Sequence, residues 1–99
     1  GNVEYRTLLP RGDLANLAIG AVTLEGPAET IYNSHEEWDQ VYVIWSGKGK
    51  VRINDEIFPV AAPSIVRIPK NTRHGVILSP GDHMRYIYIN AYDTTQGKE

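Results

Sequence analysis

An all-β barrel is the fold class this chain predicts, and three observations carry that expectation. Apolar residues alternate with polar ones over short runs, and the three-to-four spacing of a helix is hard to find anywhere. Turn residues such as Gly-Pro, Asn-Asp and Pro-Gly-Asp interrupt the runs at short intervals. The strongest runs carry bulky side chains on both faces, which suits a barrel whose outside is partly covered.

Each element follows from its residues. A short strand is expected at the N-terminus, ahead of a barrel spanning about residues 14–92. Asn16 to Glu25 reads as a strand ended by Gly26-Pro27. Thr30 to His35 reads as a second strand. Gln40 to Ser46, rich in β-branched and aromatic residues, reads as a third, which Gly47-Lys48-Gly49 then breaks. Lys50 to Asn54 and Glu56 to Val60 form a hairpin turning at Asn54-Asp55, residues that tolerate left-handed backbone. Ile65 to Ile68 is stopped by Pro69-Lys70-Asn71. Gly75 to Leu78 runs into the turn Ser79 to Asp82, and Arg85 to Tyr92 is a last alternating strand. The tail DTTQGKE is polar and expected to fray.

Alternation assigns faces. Ile31, Asn33 and His35 share one. Gln40, Tyr42 and Ile44 share one, opposite Val41, Val43 and Trp45. Tyr86, Tyr88, Asn90 and Tyr92 point one way, Ile87, Ile89 and Ala91 the other.

Bulk properties narrow the function. Ninety-nine residues make one domain, small enough to gain from dimerising, so a homodimer is expected. A net charge of −2 with scattered basic residues argues against nucleic acid as a partner. The absence of cysteine removes disulfides, thiolate metal sites and cysteine nucleophiles. No run approaches the ~20 apolar residues of a membrane helix, and the start GNVEYRTLLPRGD has no signal-peptide core; the expected location is cytoplasmic.

Two short patterns go further. Asn33-Ser34-His35 is followed after four residues by Gln40 and after six more by Gly47. Pro69-Lys70-Asn71 is followed after two residues by His74. The fifteen residues Lys48 to Ala62 separate them. In spacing the chain resembles the cupins, whose first motif carries H-x-H and a glutamate and whose second carries P-x-G and a histidine. The resemblance implies a small single-domain cupin, a jelly-roll or double-stranded β-helix barrel, over roughly Leu14 to Tyr92. Positions that shape the backbone are mostly kept: Asn71 replaces a glycine as the next-best residue for positive φ. The metal set is half changed, with Asn33 for the first histidine and Gln40 for the glutamate. Pro63 replaces the second motif's first glycine and Leu78 its closing asparagine.

The resemblance implies that Asn33, His35, Gln40 and His74 converge on a divalent metal such as zinc, nickel, manganese or iron. With both histidines neutral such a shell carries no negative charge, which predicts weak affinity and disfavours the two-histidine, one-carboxylate iron oxygenases. Beside it stands the plainer reading of polar pocket residues. Tyr42, Tyr86 and Tyr88 line the pocket or belong to an aromatic core. Trp38 shields the mouth of the site or caps the barrel. Arg67, Arg73 and Arg85 form an anion clamp or lie exposed on strands. Two functions are therefore expected. One is a metal-dependent isomerase or lyase acting on a small polar carboxylate or sugar-derived molecule, with Tyr42 as catalytic proton carrier and Tyr86, Tyr88 and Arg85 binding the substrate. The other is a small-molecule-binding or sensing barrel without catalysis.

Overall fold

A computed structural model describes residues 2–93. Eight strands, and no helix among the described residues, make up the fold: β1 (Val3–Leu9), β2 (Leu17–Glu25), β3 (Ala28–Glu29), β4 (Trp38–Ile53), β5 (Glu56–Ala61), β6 (Ser64–Ile68), β7 (His74–Leu78) and β8 (His83–Tyr92). All pairings are antiparallel, in the order β1-β2-β8-β4-β7-β3, with β5 and β6 also paired to β4. The first half of β4 pairs with β8 and β6, the second with β7 and β5. This one strand therefore joins two halves that curl over each other, the jelly roll of a cupin barrel. Inward side chains of both halves form the core, with Val22, Leu24, Ile44, Ile68, Val76 and Met84 at its centre. Each such fully buried side chain contributes roughly 1.5–3 kcal/mol.

Gly47-Lys48-Gly49 does not break the chain as expected; β4 runs through it. A bulge between Ile44 and Ser46 shifts the register against β8, and Gly47 follows at φ +84°. A Cβ at Gly47 would strike the His83 carbonyl, so glycine allows β4 to bend against β8 without ending. The hairpin and the later turn behave as their residues predict: Asn54, Asp55 and Asn71 all lie at positive φ.

The expected strand over Thr30 to His35 is corrected as well. Only Ala28–Glu29 is regular, and Asn33 makes a lone bridge to His74. The segment follows β7 through scattered bonds: Thr30 N–H to the Val76 carbonyl, Val76 N–H to Thr30 Oγ1, and reciprocal Asn33–His74 backbone bonds. Its side chains explain the irregularity. Thr30 supplies a hydroxyl where a strand would supply a carbonyl. Tyr32 turns away to the β4–β5 hairpin, where its hydroxyl donates to Asp55 and its ring lies against the Arg52 and Arg73 guanidiniums at 4.2 and 4.3 Å.

At the N-terminus six of the seven residues of β1 pair with β2, with a register shift between Thr7 and Leu9, and the strand forms the edge of its half. The polar tail begins tied down: Asp93 N–H donates to the Glu37 carbonyl, and its carboxylate meets Lys70 Nζ at 2.7 Å. Residues 94–99 of the expected frayed tail lie outside the described residues.

Candidate functional site

Between the two halves lies a cavity of about 260 Å³, lined by residues from five separate parts of the chain. His74 opens β7, fixed by its backbone bonds to Asn33, and is 3 % exposed. Its Nδ1–H donates to the Thr72 carbonyl at 2.8 Å, which leaves Nε2 as an acceptor in the neutral ring. His35 stands beside it, ring centres 5.0 Å apart, and stacks on Trp38 at 4.2 Å. Burial holds both imidazoles below their usual range, and for His35 the neighbouring His74 adds to the effect. Both rings are therefore neutral near pH 7.

Gln40 and Asn90 face each other across β4 and β8, and both are buried. Gln40 Nε2 donates to Asn90 Oδ1 at 2.7 Å, and Asn90 Nδ2 donates to the Tyr92 hydroxyl at 3.4 Å. Among the described residues Gln40 Oε1 is buried without a donor, and the Trp38 Nε1–H is buried without an acceptor. An unpaired buried polar atom costs about 1–3 kcal/mol, so each would gain from a bonding partner. Tyr42 and Tyr86 close another side, ring centres 4.5 Å apart. Burial pushes both phenols far above their ordinary range, so each remains a hydrogen-bond donor at any moderate pH. Tyr88 reaches the cavity by lying across Gly20, whose missing Cβ makes room for the ring.

Asn33, His35, Gln40, Tyr42, His74, Tyr86 and Tyr88 thus come together around one space. Arg85 does not. It shares the parity of Ile87 and Ile89, points outward and lies over the Trp45 ring at 5.7 Å, so it cannot reach a molecule in the cavity. Arg67 is exposed and Arg73 is stacked on Tyr32. Trp38 lines the cavity. Reasoning from the sequence missed Tyr5, Thr30 and Asn90. Asn90 had a signal, a polar residue in an inward series with Tyr86 and Tyr88. Tyr5 and Thr30 had none, because only the fold brings β1 and the segment after β3 to the mouth.

Among the described residues no three His, Cys, Asp or Glu side chains gather as a metal site. The donor set beyond those types still fits a divalent ion. His74 turns a free ring nitrogen inward, His35 stands against it, and Gln40 Oε1 has no other partner. The set is wholly neutral.

Comparison with known proteins bears on the family. The model of the AraC-like ligand binding domain matches residues 27–92. No curated protein matches the chain in sequence. Among solved structures the chain resembles the plu4264 protein of Photorhabdus luminescens (TM-score 0.79, 20 % identity, covering 93 % of this chain and 77 % of that one). It also resembles the Cupin_2 domain of an XRE family transcriptional regulator from Enterobacter cloacae (TM-score 0.83, 17 % identity, 93 % and 98 % covered). A third is the polyketide cyclase RemF from Streptomyces resistomycificus (TM-score 0.81, 17 % identity, 99 % and 72 % covered). Identities this low speak for the fold alone.

Proposed function

The chain belongs to the family of AraC-like ligand binding domains, and from that premise we propose that it binds one small, uncharged, polar molecule between the two halves of its barrel. One observation carries this reading: none of the twelve side chains lining the cavity is an Asp, Glu, Lys or Arg. Burying an ion there without a partner would be costly, whereas hydroxyl groups find acceptors in Gln40 Oε1 and His74 Nε2 and donors in Tyr42 and Trp38. The volume lies just below the range of about 300–1,000 Å³ common for ligand pockets, which suits a single-ring guest stacking on the aromatic walls. The carboxylate-bearing substrate expected from the sequence has no cation to meet it there.

Thermal-shift and calorimetric titration of metal-free protein with neutral sugars and phenols, against keto and hydroxy acids, tests this. Saturable binding by a neutral compound is expected, weakened about tenfold by Tyr42→Phe, the loss of one hydrogen bond worth about 1.4 kcal/mol. Tighter binding by the acids would refute it.

A second reading rests on the unpaired Gln40 Oε1. His35, His74 and Gln40, with Asn33 beside them, would hold zinc, nickel, manganese or iron. Such an ion supplies Lewis acidity toward a carbonyl or enol oxygen, the chemistry of an isomerase or lyase. Tyr42, kept protonated, would then donate a proton or hydrogen bond to that oxygen. Elemental analysis and titration with the metal alone test it. Occupancy is expected to fall in His35→Ala and His74→Ala, and full occupancy in either variant would remove this reading.

A further inference from the structure

Two buried side chains that line the cavity turn the same polarity toward it. His74 donates Nδ1–H to the Thr72 carbonyl at 2.8 Å, so in the neutral ring Nε2 can only accept. Gln40 donates Nε2–H to Asn90 Oδ1 at 2.7 Å, and among the described residues its Oε1 has no donor. In both cases a neighbouring oxygen takes the proton and leaves an acceptor.

The second setting is not intrinsic to glutamine. A primary amide offers an oxygen or an NH2 group from nearly the same place, and its neighbour decides which one is free. Asn90 is that neighbour, buried directly opposite Gln40 in the β4–β8 register. Its own Nδ2 donates to the Tyr92 hydroxyl at 3.4 Å, which turns Oδ1 to Gln40. Asn90 thereby fixes the face that Gln40 shows a guest.

Two acceptors on one cavity of about 260 Å³ call for two donors on the guest. A molecule bearing acceptors alone would set lone pairs against lone pairs and leave both wall atoms unpaired. A site built to bond a donor group rejects an analogue without it far more strongly than an apolar pocket rejects a change of shape.

We propose that the cavity selects a neutral ring carrying two hydrogen-bond donors, hydroxyl or N–H, and that Asn90 is the positioning residue behind this choice, holding Gln40 Oε1 toward the guest. This builds on the reading that a neutral molecule occupies the barrel and adds which neutral molecule.

Calorimetry on chelator-treated protein tests it. Resorcinol, meta-fluorophenol and meta-difluorobenzene lose their donors one at a time with little change of bulk, while pyrimidine offers two acceptors and no donor. Affinity is expected to fall about tenfold with each donor removed, and pyrimidine to bind about a hundredfold more weakly than resorcinol. Asn90→Leu frees the Gln40 amide to turn over, so the preference for resorcinol over pyrimidine is expected to shrink at least about tenfold. A merely loosened barrel would weaken both probes alike and leave that ratio unchanged. Asn90→Asp keeps an acceptor opposite Gln40 and is expected to keep the ratio; if Asn90→Leu fails to fold, this variant and the wild-type series still decide the matter. Pyrimidine binding the wild type as tightly as resorcinol would mean that both amides are turned over, and overturns the proposal. A ratio unchanged in Asn90→Leu, or lost in Asn90→Asp, overturns the part given to Asn90. If all four rings bind alike, only this inference falls; if no neutral ring or sugar binds, the reading beneath it falls too.

Discussion

Gln40 is the residue on which the chemistry of the cavity turns. Its amide nitrogen is committed to Asn90, and its oxygen is buried with nothing to accept. An amide there suits a neutral guest; a carboxylate would suit a cation. Gln40→Glu is therefore expected to separate the two readings. The metal-free protein should lose about 1–3 kcal/mol of stability near neutral pH, because a buried carboxylate lacks a counter-charge. Affinity for zinc alone should rise at least about tenfold, as a charged oxygen replaces a neutral donor. Denaturant titration and calorimetry with the metal alone measure both. Unchanged zinc affinity would show that residue 40 is not part of a metal shell. Most of this site was legible beforehand: Gln40 and His74 stand at spacings the sequence displays, and parity put Tyr42 on the same face as Gln40. Parity also held the correction to Arg85, which alternates with Tyr86 and so cannot share its cavity.

The element that decides the architecture is β4. Its sixteen residues pair with four other strands, and its bend carries the chain from one half to the other. That bend needs Gly47, because φ +84° strains any other residue and the His83 carbonyl leaves no room for a Cβ. Gly47→Ala should cost at least about 2 kcal/mol, roughly 10 °C in Tm for a domain this size. Urea unfolding should show a lower midpoint at an unchanged slope. A loss below about 0.5 kcal/mol would mean that the bend relaxes freely. In sequence a glycine that ends a strand and one that bends it look alike. The difference lies in whether β8 continues to pair past the bulge. Thr30 to His35 likewise reads as a strand by composition, but Thr30 Oγ1 takes a ladder position on β7 and Tyr32 turns to the β4–β5 hairpin, which leaves Asn33 a lone bridge to His74.

At the scale of the whole molecule, burial of aromatic groups links stability to alkaline pH. Folding moves the pKa of Tyr42 and Tyr86 far above the unfolded value near 10, because burial disfavours the phenolates. Below pH 10 both states hold these protons and the linkage is silent. Above it the unfolded chain releases them while the folded one does not, so stability falls as pH rises. Of the six tyrosines, these two should ionise only together with unfolding. Tyrosinate absorbance followed alongside circular dichroism checks this. Tyr86→Phe should shrink the late step by one residue, and ionisation of both phenols in the folded barrel would refute the assignment.

From sequence alone came the all-β class, the places of most strands and turns, the parity of each strand and the two histidines at cupin spacing. Those are local properties: alternation, turn residues and short spacings act within a few residues of the chain. Only the tertiary structure decided that β4 is continuous, that Tyr5 and Thr30 join the cavity and that no Asp, Glu, Lys or Arg is among the described residues of its walls. These depend on which distant strands pair and in what register, because a strand's own residues set which side chains share a face but not what that face meets.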